Sequence, residues 1–218
     1  MAGQPLILVA ASGLAREVLS VLRTRVDRHV VGFLDDDVAL RGTAIDGLPV
    51  LGALESVTEH PEAGLVVCAG SGKSRSTIVQ RLSDLGVDGG RYVRVIDPTV
   101  RVPASCAVGA GSILLAQTVL TADVQVGNHV VTMPHAVLTH DDAISDYATV
   151  CAGVALGGNV TVGMRAYLGM NSSVRQGVRV GSDATLGMGS VLLTDLPHGE
   201  VWAGTPARAL TKEGIAVL

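Results

Sequence analysis

The chain has 218 residues, which is enough for one large domain or two small ones with a buried core. Its 16 basic and 20 acidic residues give a formal charge of −4, and no run of Lys and Arg could follow a nucleic-acid backbone, which argues against nucleic-acid binding. The apolar stretch at residues 5–11 has no basic leader and is too short to span a membrane, which predicts a cytoplasmic protein.

The first 95 residues alternate predicted strands and helices. Apolar runs predict strands at Leu6–Ala10, Val30–Leu34 and Leu65–Ala69, and helical spacing of apolar residues predicts helices at Gly13–Arg25 and Lys73–Leu85. This order predicts a small parallel sheet with ligand-binding groups at the strand ends. The turn after the first strand has one glycine where a GxGxxG motif has three, so it favours a phosphate site of backbone N–H groups over a nicotinamide site.

The composition indicates a core made of thin, regular layers. Hydrophobic residues make up 48% of the chain but aromatic residues only 2%, and there are 27 glycines. Such a core must be built from Val, Leu, Ile and Ala, which favours a repeat architecture. The three cysteines lack CxxC spacing and are odd in number, so they indicate buried thiols rather than disulfides.

A six-residue period begins at Ile96. Every sixth residue from there to Leu192 is aliphatic at 16 of 17 positions, with Thr132 as the exception. The residue four places after each of these is nearly always small or β-branched, and Asp142 is the one charged exception. Glycines just after the aliphatic residue, such as Gly109, predict tight bends or unusual backbone angles.

This period is typical of a left-handed parallel β-helix. Three hexapeptides form one triangular coil, the aliphatic side chain points into the prism, and residues 18 apart stack on one another. A sandwich of short strands would need alternating patterns and irregular turn spacing. We therefore predict an α/β (Rossmann-like) domain at residues 1–95 and a β-helix with a C-terminal tail at residues 96–218.

Motifs along the whole chain carry a family resemblance. They are Leu6–Val18, Gly32–Asp37, Gly47–Gly52, Gly70 with Arg75, the hexapeptide array, Thr139–Asp141 and Gly204–Arg208. Together they resemble the sugar O- and N-acyltransferases of the sialic-acid O-acetyltransferase and bacillosamine-pathway N-acetyltransferase family. The array alone would indicate only the wider acyltransferase superfamily, and the N-terminal unit narrows it.

The resemblance implies an acetyl-CoA-dependent homotrimer that acylates a nucleotide-linked amino sugar at sites between neighbouring subunits. The sugar-nucleotide positions carried over to the small domain are Ser12, Gly13, Asp35, Asp36 and Gly70. The acyl-CoA positions carried over to the β-helix are Thr149, Gly158, Met170, Met188, Gly189 and Arg208. The chain departs from the family at three places: Ala10 replaces a glycine, Leu14 a histidine of the first turn, and Thr149 a second histidine near the thioester.

His140 is the predicted catalytic base. Acyl transfer from a thioester needs a base to take the acceptor's proton, and a carboxylate partner fixes the tautomer of a histidine. His140 occupies the third place of its hexapeptide, where side chains point outward, and its neighbours one coil away, Ala122 and Gly158, are small. Asp141 matches the family's acidic partner, and Asp142 is a second candidate. His129 and His135 occupy outward places on other faces and are candidates for ligand contact across a subunit interface.

Other functions fit parts of the pattern. Some left-handed β-helix trimers are zinc carbonic anhydrases, and His135 and His140 have the separation of two of their ligands. The first ligand should lie about two coils upstream, but Thr99 stands there, so no metal is expected. A non-enzymatic trimer that senses sugar nucleotides is the other class, and the adjacent His140 and Asp141 argue against it. Among acyltransferases, an amino-sugar acceptor leads, followed by a sugar hydroxyl and a small non-sugar amine.

Overall fold

A computed structural model describes residues 3–210 and shows an α/β domain followed by a β-helix. The elements of the first domain are β1 (Gln4–Val9), α1 (Gly13–Leu22), β2 (Arg28–Leu34), β3 (Ala44–Ile45), β4 (Leu48–Gly52), β5 (Gly64–Val67) and α2 (Gly72–Asp84). The strands form one sheet in the order β3-β4-β2-β1-β5, parallel except for the β3–β4 hairpin. The predicted small parallel sheet is confirmed, and the hairpin at residues 44–52 is an addition that we did not predict.

Serine caps begin both helices. The Oγ of Ser12 accepts a hydrogen bond from the N–H of Ala15 at 3.3 Å, and the Oγ of Ser71 accepts one from Ser74 at 3.4 Å. Each cap satisfies an N–H group that has no partner within its helix. Helix α1 begins at its predicted residue but ends three residues earlier than predicted, at Leu22. No helix among residues 3–210 has the length and apolar character needed to cross a membrane.

The left-handed parallel β-helix consists of two-residue strands. The strands are β6 (Val95–Ile96), β7 (Ala107–Val108), β8 (Ile113–Leu114), β9 (Val119–Leu120), β10 (Gln125–Val126), β11 (Val131–Thr132), β12 (Val137–Leu138), β13 (Ala143–Ile144), β14 (Thr149–Val150), β15 (Ala155–Leu156), β16 (Thr161–Val162), β17 (Tyr167–Leu168), β18 (Ser173–Val174), β19 (Arg179–Val180), β20 (Thr185–Leu186) and β21 (Val191–Leu192). Each strand from β6 to β18 pairs with the strand 18 residues further along the chain. Strands β22 (Val201–Gly204) and β23 (Ala207–Ala209) form a hairpin that continues one face after β20.

The prism has three faces with different surroundings. The junction face (β6, β8, β11, β14, β17, β20) packs against the N-terminal domain, where Ile113 and Val131 share a buried cluster with α1. The polar face (β7, β10, β13, β16, β19) presents outward residues such as Gln125 and Arg179. The apolar face (β9, β12, β15, β18, β21) presents Val119, Val137, Ala155, Ser173 and Val191.

The corners of the prism use left-handed backbone at the fourth place of the hexapeptide. The φ angles there lie between 53° and 73°, and the residues are Gly111, Gln117, Asp123, His129, His135, Asp141, Tyr147, Gly153, Asn159, Arg165, Asn171, Gly177, Asp183 and Gly189. The prediction that the glycines after the aliphatic residue carry the unusual angles is therefore wrong. A Cβ at Gly109 or Gly163 would instead overlap the backbone of the next coil, so these positions need glycine because the coils approach closely.

The predicted core register is present. The repeated aliphatic residues from Val108 to Leu192 are buried in one cluster, and each contributes about 1.5–3 kcal/mol relative to an exposed side chain. Thr132, the exception in the register, is also buried, and its hydroxyl lies 3.0 Å from that of Thr118. Paired hydroxyls inside the prism satisfy each other, so the exception does not break the core.

Candidate active site

His140 and Asp141 form a hydrogen-bonded pair on the edge between the apolar and polar faces. The Nδ1 of His140 lies 2.8 Å from the Oδ2 of Asp141, and 66% of the His140 side chain is exposed. A carboxylate can only accept, so Nδ1 carries the hydrogen and Nε2 keeps a free lone pair. The arrangement provides a solvent-facing base with a fixed tautomer.

The backbone around this pair is held by the neighbouring coils. The N–H of Asp141 donates to the carbonyl of Ala122 at 3.0 Å, and the carbonyl of His140 accepts from Asn159 at 2.8 Å. Asp141 has a φ of 62°, like the fourth places of the other corners from Gly111 to Gly189. The pair therefore belongs to a rigid corner of the prism, which is a suitable support for a catalytic group.

Gly158 lies directly beneath the ring of His140. A Cβ at this position would overlap the Cε1 and Nε2 atoms of the ring. The sequence places Gly158 among the acyl-CoA positions by family resemblance, and the structure adds a steric reason for glycine, because any larger residue would push the ring away from Asp141.

Asp142, the second candidate for the acidic partner of His140, has a different role in the structure. Its side chain is fully buried, its Oδ2 accepts from the N–H of Thr139 at 2.7 Å, and its Oδ1 accepts from the N–H of Val160 at 2.8 Å. It is therefore not the hydrogen-bond partner of His140 but a clamp between the corner and the next coil. Burial raises the pKa of this carboxyl to about 6, against the opposing effect of the two N–H donors.

The other candidate histidines lie in different surroundings. His129 is buried under the N-terminal domain, with its ring stacked on Tyr147 and edge-on to Tyr92. The position of His129 in the hexapeptide does point out of the prism, but the N-terminal domain covers it there. Burial lowers the pKa of His129 to about 4. His135 is exposed on the edge between the junction and apolar faces.

The expected acyl-CoA positions divide between the two edges of the apolar face. Gly158 lies with His140 on one edge, while Met170, Met188 and Gly189 lie on the edge next to the junction face. The side chains of Met170 and Met188 are 47% and 63% exposed, which is unusual for methionine. The Thr205 hydroxyl donates to the Gly189 carbonyl at 3.5 Å. The turn that precedes the exposed Arg208 is therefore bonded to the edge that carries Met170 and Met188.

The expected nucleotide positions meet at the carboxyl ends of three adjacent strands. Ser12 and Gly13 follow β1, Asp35 and Asp36 follow β2, and Gly70 follows β5. The chain leaves β1 toward β2 on one side and reaches β5 on the other, which is the switch point where α/β sheets bind ligands.

The polar groups at these positions already have partners. The Oδ2 of Asp35 accepts from the N–H of Ala11 at 2.7 Å, and Asp36 pairs with Arg81, which lowers the pKa of the Asp36 carboxyl. The hydroxyl of Ser12 donates to the carbonyl of Cys68 at 2.6 Å. Gly13 is open, since a Cβ there would meet nothing within 4 Å. These bonds hold the loops in place. Among the five expected nucleotide positions, Gly13 and Gly70 are exposed residues without a side chain.

A metal centre finds no support in the geometry. His135 and His140 lie on opposite edges of the apolar face, with β12 between them. Within residues 3–210, no three His, Cys, Asp or Glu side chains gather closely enough to hold an ion.

Known proteins share this two-domain architecture. The family described as the PglD N-terminal domain matches residues 5–82. The acetyltransferase domain of PglB from Neisseria gonorrhoeae FA1090 is 26% identical with a TM-score of 0.84, and the match covers 95% of this chain and 100% of that domain. A mutant of GDP-perosamine N-acetyltransferase from Caulobacter crescentus, solved with CoA and GDP-perosamine, is 28% identical with a TM-score of 0.88 over 97% of this chain and 99% of that one. WeeI from Acinetobacter baumannii AYE is 25% identical with a TM-score of 0.80, over 94% of this chain and 100% of that one.

The predicted resemblance to the hexapeptide-repeat sugar acyltransferases is confirmed by these matches. The predicted enzyme class is confirmed with it, since the matched relatives are acetyltransferases over nearly the whole chain. The co-substrate expected from the sequence is the one found in a further structure of the PglB domain, which contains acetyl coenzyme A.

Arg75, which lies in the segment that matches the PglD N-terminal domain, is a residue whose role the sequence did not reveal. It is fully buried at the junction face, and burial lowers its pKa to about 10, so it stays charged at neutral pH. A signal was present, because Arg75 begins the inward stripe of α2 that continues at Ile78, Val79 and Leu82. A charged residue in an apolar stripe indicates a polar partner across the packing interface.

Thr149 also lies at this junction. Its side chain has no exposed surface, and its hydroxyl accepts from Arg75 at 2.9 Å and donates to the carbonyl of Gly70 at 3.0 Å. The hydroxyl that the resemblance associates with the thioester is thus engaged between the two domains and not offered at the surface.

Proposed function

We propose that the protein transfers an acetyl group from acetyl-CoA to the amino group of a nucleotide-linked sugar, with His140 as the general base. The observation that carries this proposal is the exposed His140–Asp141 pair, in which Nδ1 is held by the carboxylate and Nε2 is free. The bound ligands of the relatives, CoA with GDP-perosamine in one case and acetyl coenzyme A in another, support the substrate classes.

The proposed reaction is a direct attack without an acyl-enzyme. The acceptor nitrogen adds to the thioester carbonyl carbon while Nε2 of His140 takes its proton. The C–S bond then breaks, and the proton passes from His140 to the departing CoA sulfur. Asp141 keeps the ring oriented and stabilises the imidazolium that forms between the two steps.

The proposed site is shared between subunits of a homotrimer. One chain places His140 and Gly158 on one edge of the apolar face and Met170, Met188 and Gly189 on the other, so it cannot bring the two sets together. Packing of three apolar faces around a threefold axis places the His140 edge of each subunit beside the methionine edge of the next. Acetyl-CoA then lies in the groove between two prisms, with its nucleotide end toward Arg208.

The small domain supplies the nucleotide-sugar site in this proposal. The loops that carry Ser12, Gly13, Asp35, Asp36 and Gly70 meet at the switch point of the sheet, where backbone N–H groups and the start of α1 face a ligand. We place the reaction in the cytoplasm, as the sequence predicts.

A screen of nucleotide-linked amino sugars against acetyl-CoA tests the function. Mass spectrometry should show addition of one acetyl group to at least one UDP-, GDP- or dTDP-linked amino sugar, and the His140→Ala protein is the matched control. Hydroxylamine cleaves acetyl esters but not acetamides, so a product that resists it is N-acetylated. Transfer to a hydroxyl or only to small amines would overturn the acceptor class but keep the base.

A further inference from the structure

Arg75 joins the α/β domain to the β-helix through all three of its side-chain nitrogens. The Nε donates to the β-helix at 2.9 Å, Nη1 donates to the loop after β5 at 2.8 and 2.9 Å, and Nη2 donates to the β-helix at 2.7–3.0 Å. The acceptors are the carbonyls of His129, Ala69, Gly70, Tyr147 and Ala148 and the hydroxyl of Thr149.

No carboxylate takes part in this network. The ion pairs formed within residues 3–210 do not include Arg75, and its charge is spread over carbonyl oxygens in a fully buried site. A buried guanidinium held this way is stable only while every acceptor stays in place, because each lost bond leaves a desolvated charge. The network therefore fixes the geometry of the junction instead of merely filling it.

Thr149 connects the two halves of the junction a second time. Its single hydroxyl accepts from Arg75 and donates to the Gly70 carbonyl, so Gly70 is bonded to both residues. Gly72 adds a steric constraint, since a Cβ there would overlap the carbonyl of Tyr147. The loop at residues 69–72 is thus held against the β-helix by direct bonds and by close packing.

We propose that Arg75 and Thr149 are positioning residues for the nucleotide-linked sugar. By fixing the Gly70 carbonyl on the β-helix, they set the position of the nucleotide-binding loops relative to the prism whose corner carries His140. The inference rests on the proposed function, since it takes Gly70 as part of the nucleotide-sugar site. It assigns the Thr149 hydroxyl to the acceptor side of the reaction and not to acyl-CoA.

Substitution of Thr149 tests this assignment. Thr149→Val keeps the shape and removes both hydrogen bonds, whereas Thr149→Ser keeps the hydroxyl and is the matched control. We expect Thr149→Val to raise KM for the nucleotide sugar about 5- to 30-fold, with KM for acetyl-CoA and kcat changed less than about twofold. Thr149→Ser should restore most of the wild-type KM. Arg75→Lys keeps the positive charge but loses the planar guanidinium and most of its N–H donors. In folded protein, this variant should raise KM for the nucleotide sugar further than Thr149→Val does.

Calorimetric binding of UDP, GDP and dTDP to the full chain separates failure of the inference from failure of the proposed function. If wild-type protein binds none of these nucleotides, the nucleotide-sugar function itself fails. If wild type binds one of them and Thr149→Val binds it equally well, the positioning role is wrong. A rise in KM for acetyl-CoA alone would also overturn it and would place Thr149 at the thioester. If the Thr149→Val and Arg75→Lys proteins melt at a lower temperature but keep the wild-type KM values, both residues only stabilise the fold and the positioning role is wrong.

Discussion

His140 differs from the other histidines that the structure describes in the surroundings of its ring. It stands on a corner, pairs with an adjacent carboxylate and rests on a glycine, whereas His129 is buried between two tyrosines. A base needs both a free lone pair and access to its substrate, and His140 has both. Burial that lowers the pKa of His129 also removes it from solvent.

Replacing His140 should stop turnover without preventing donor binding. Loss of a general base costs about 10²–10⁴-fold in rate, so His140→Ala should lose kcat on that scale while still binding acetyl-CoA. Asp141→Asn should lose less, because the ring survives with a weaker partner. Steady-state kinetics and donor titration measure the two effects. Near-normal turnover of His140→Ala at neutral pH would exclude this base and make exposed His135 the next residue to test.

Gly158→Ala should reduce kcat through the position of the His140 ring. The added methyl group overlaps the ring, which must turn away from Asp141, and a displacement of about 1 Å can cost about 10²-fold in rate. Gly89→Ala is the matched control, since a Cβ there meets nothing within 4 Å. Kinetics should show the loss at Gly158 alone, and equal rates for the two variants would contradict the packing argument.

Asp142 should make stability depend on pH. Its pKa is raised to about 6, above the ordinary value of 3.8, so as the pH rises the unfolded chain releases this proton first. The folded state therefore loses stability between about pH 4 and pH 6, by up to about 3 kcal/mol. Urea unfolding should show the free energy of wild type falling relative to Asp142→Asn across this window. A difference that does not change with pH would mean that the carboxyl titrates normally.

At the scale of elements, the two edges of the apolar face carry the residues that we propose bind acetyl-CoA. The β22–β23 hairpin ends the methionine edge, and its Thr205 bonds to Gly189. The hairpin therefore brings Arg208, which follows the turn, to the end of the groove proposed for acetyl-CoA. Arg208 is exposed and donates only to the Ala207 carbonyl at 2.8 Å among residues 3–210, so its charge is available to a phosphate.

Arg208→Ala should raise KM for acetyl-CoA with little change in kcat. A charge-assisted hydrogen bond to a phosphate contributes on the order of 1–3 kcal/mol, and it acts equally on the bound substrate and the transition state. A pantetheine-truncated donor lacks the nucleotide phosphates and is the control, for which wild type and variant should be equal. An equal loss with both donors would contradict the phosphate contact.

At the scale of the whole molecule, the three faces of the prism have different surroundings. The N-terminal domain covers the junction face at Ile113, Val131 and Thr149, whereas outward residues of the polar face such as Gln125 and Arg179 are exposed. The apolar face presents Val119, which is 44% exposed, beside Val137 and Val191. An apolar strip of this kind is stabilised by a second copy of the same face.

We expect light scattering to give a mass near three times 22.3 kDa. Val119→Asp should shift the protein toward monomer and lose activity, because a buried unpaired carboxylate disfavours the interface. Gln125→Glu on the polar face is the control and should remain trimeric. A stable, fully active monomer at micromolar concentration would contradict the shared site.

The β-helix could be predicted from the sequence because each hexapeptide meets the same local surroundings. An aliphatic residue every six places, with a small residue four places later, decides where strands and corners fall, so Leu138 and Leu156 are buried and His140 points outward as predicted. The adjacency of His140 and Asp141 is likewise local. Their hydrogen bond follows from neighbouring positions at one corner.

Other features depend on contacts between distant parts of the chain. The sequence places His129 at an outward position, and the family resemblance places Thr149 at the acyl-CoA site, but the N-terminal domain docks there and buries both. Arg75 lies 74 residues before Thr149, and their bond exists only after docking. Asp142 accepts a hydrogen bond from the N–H of Val160, which is 18 residues away in sequence and adjacent only because it lies in the next coil. Local periodicity determines the prism, whereas the packing of one domain on one face determines which outward residues remain available for chemistry.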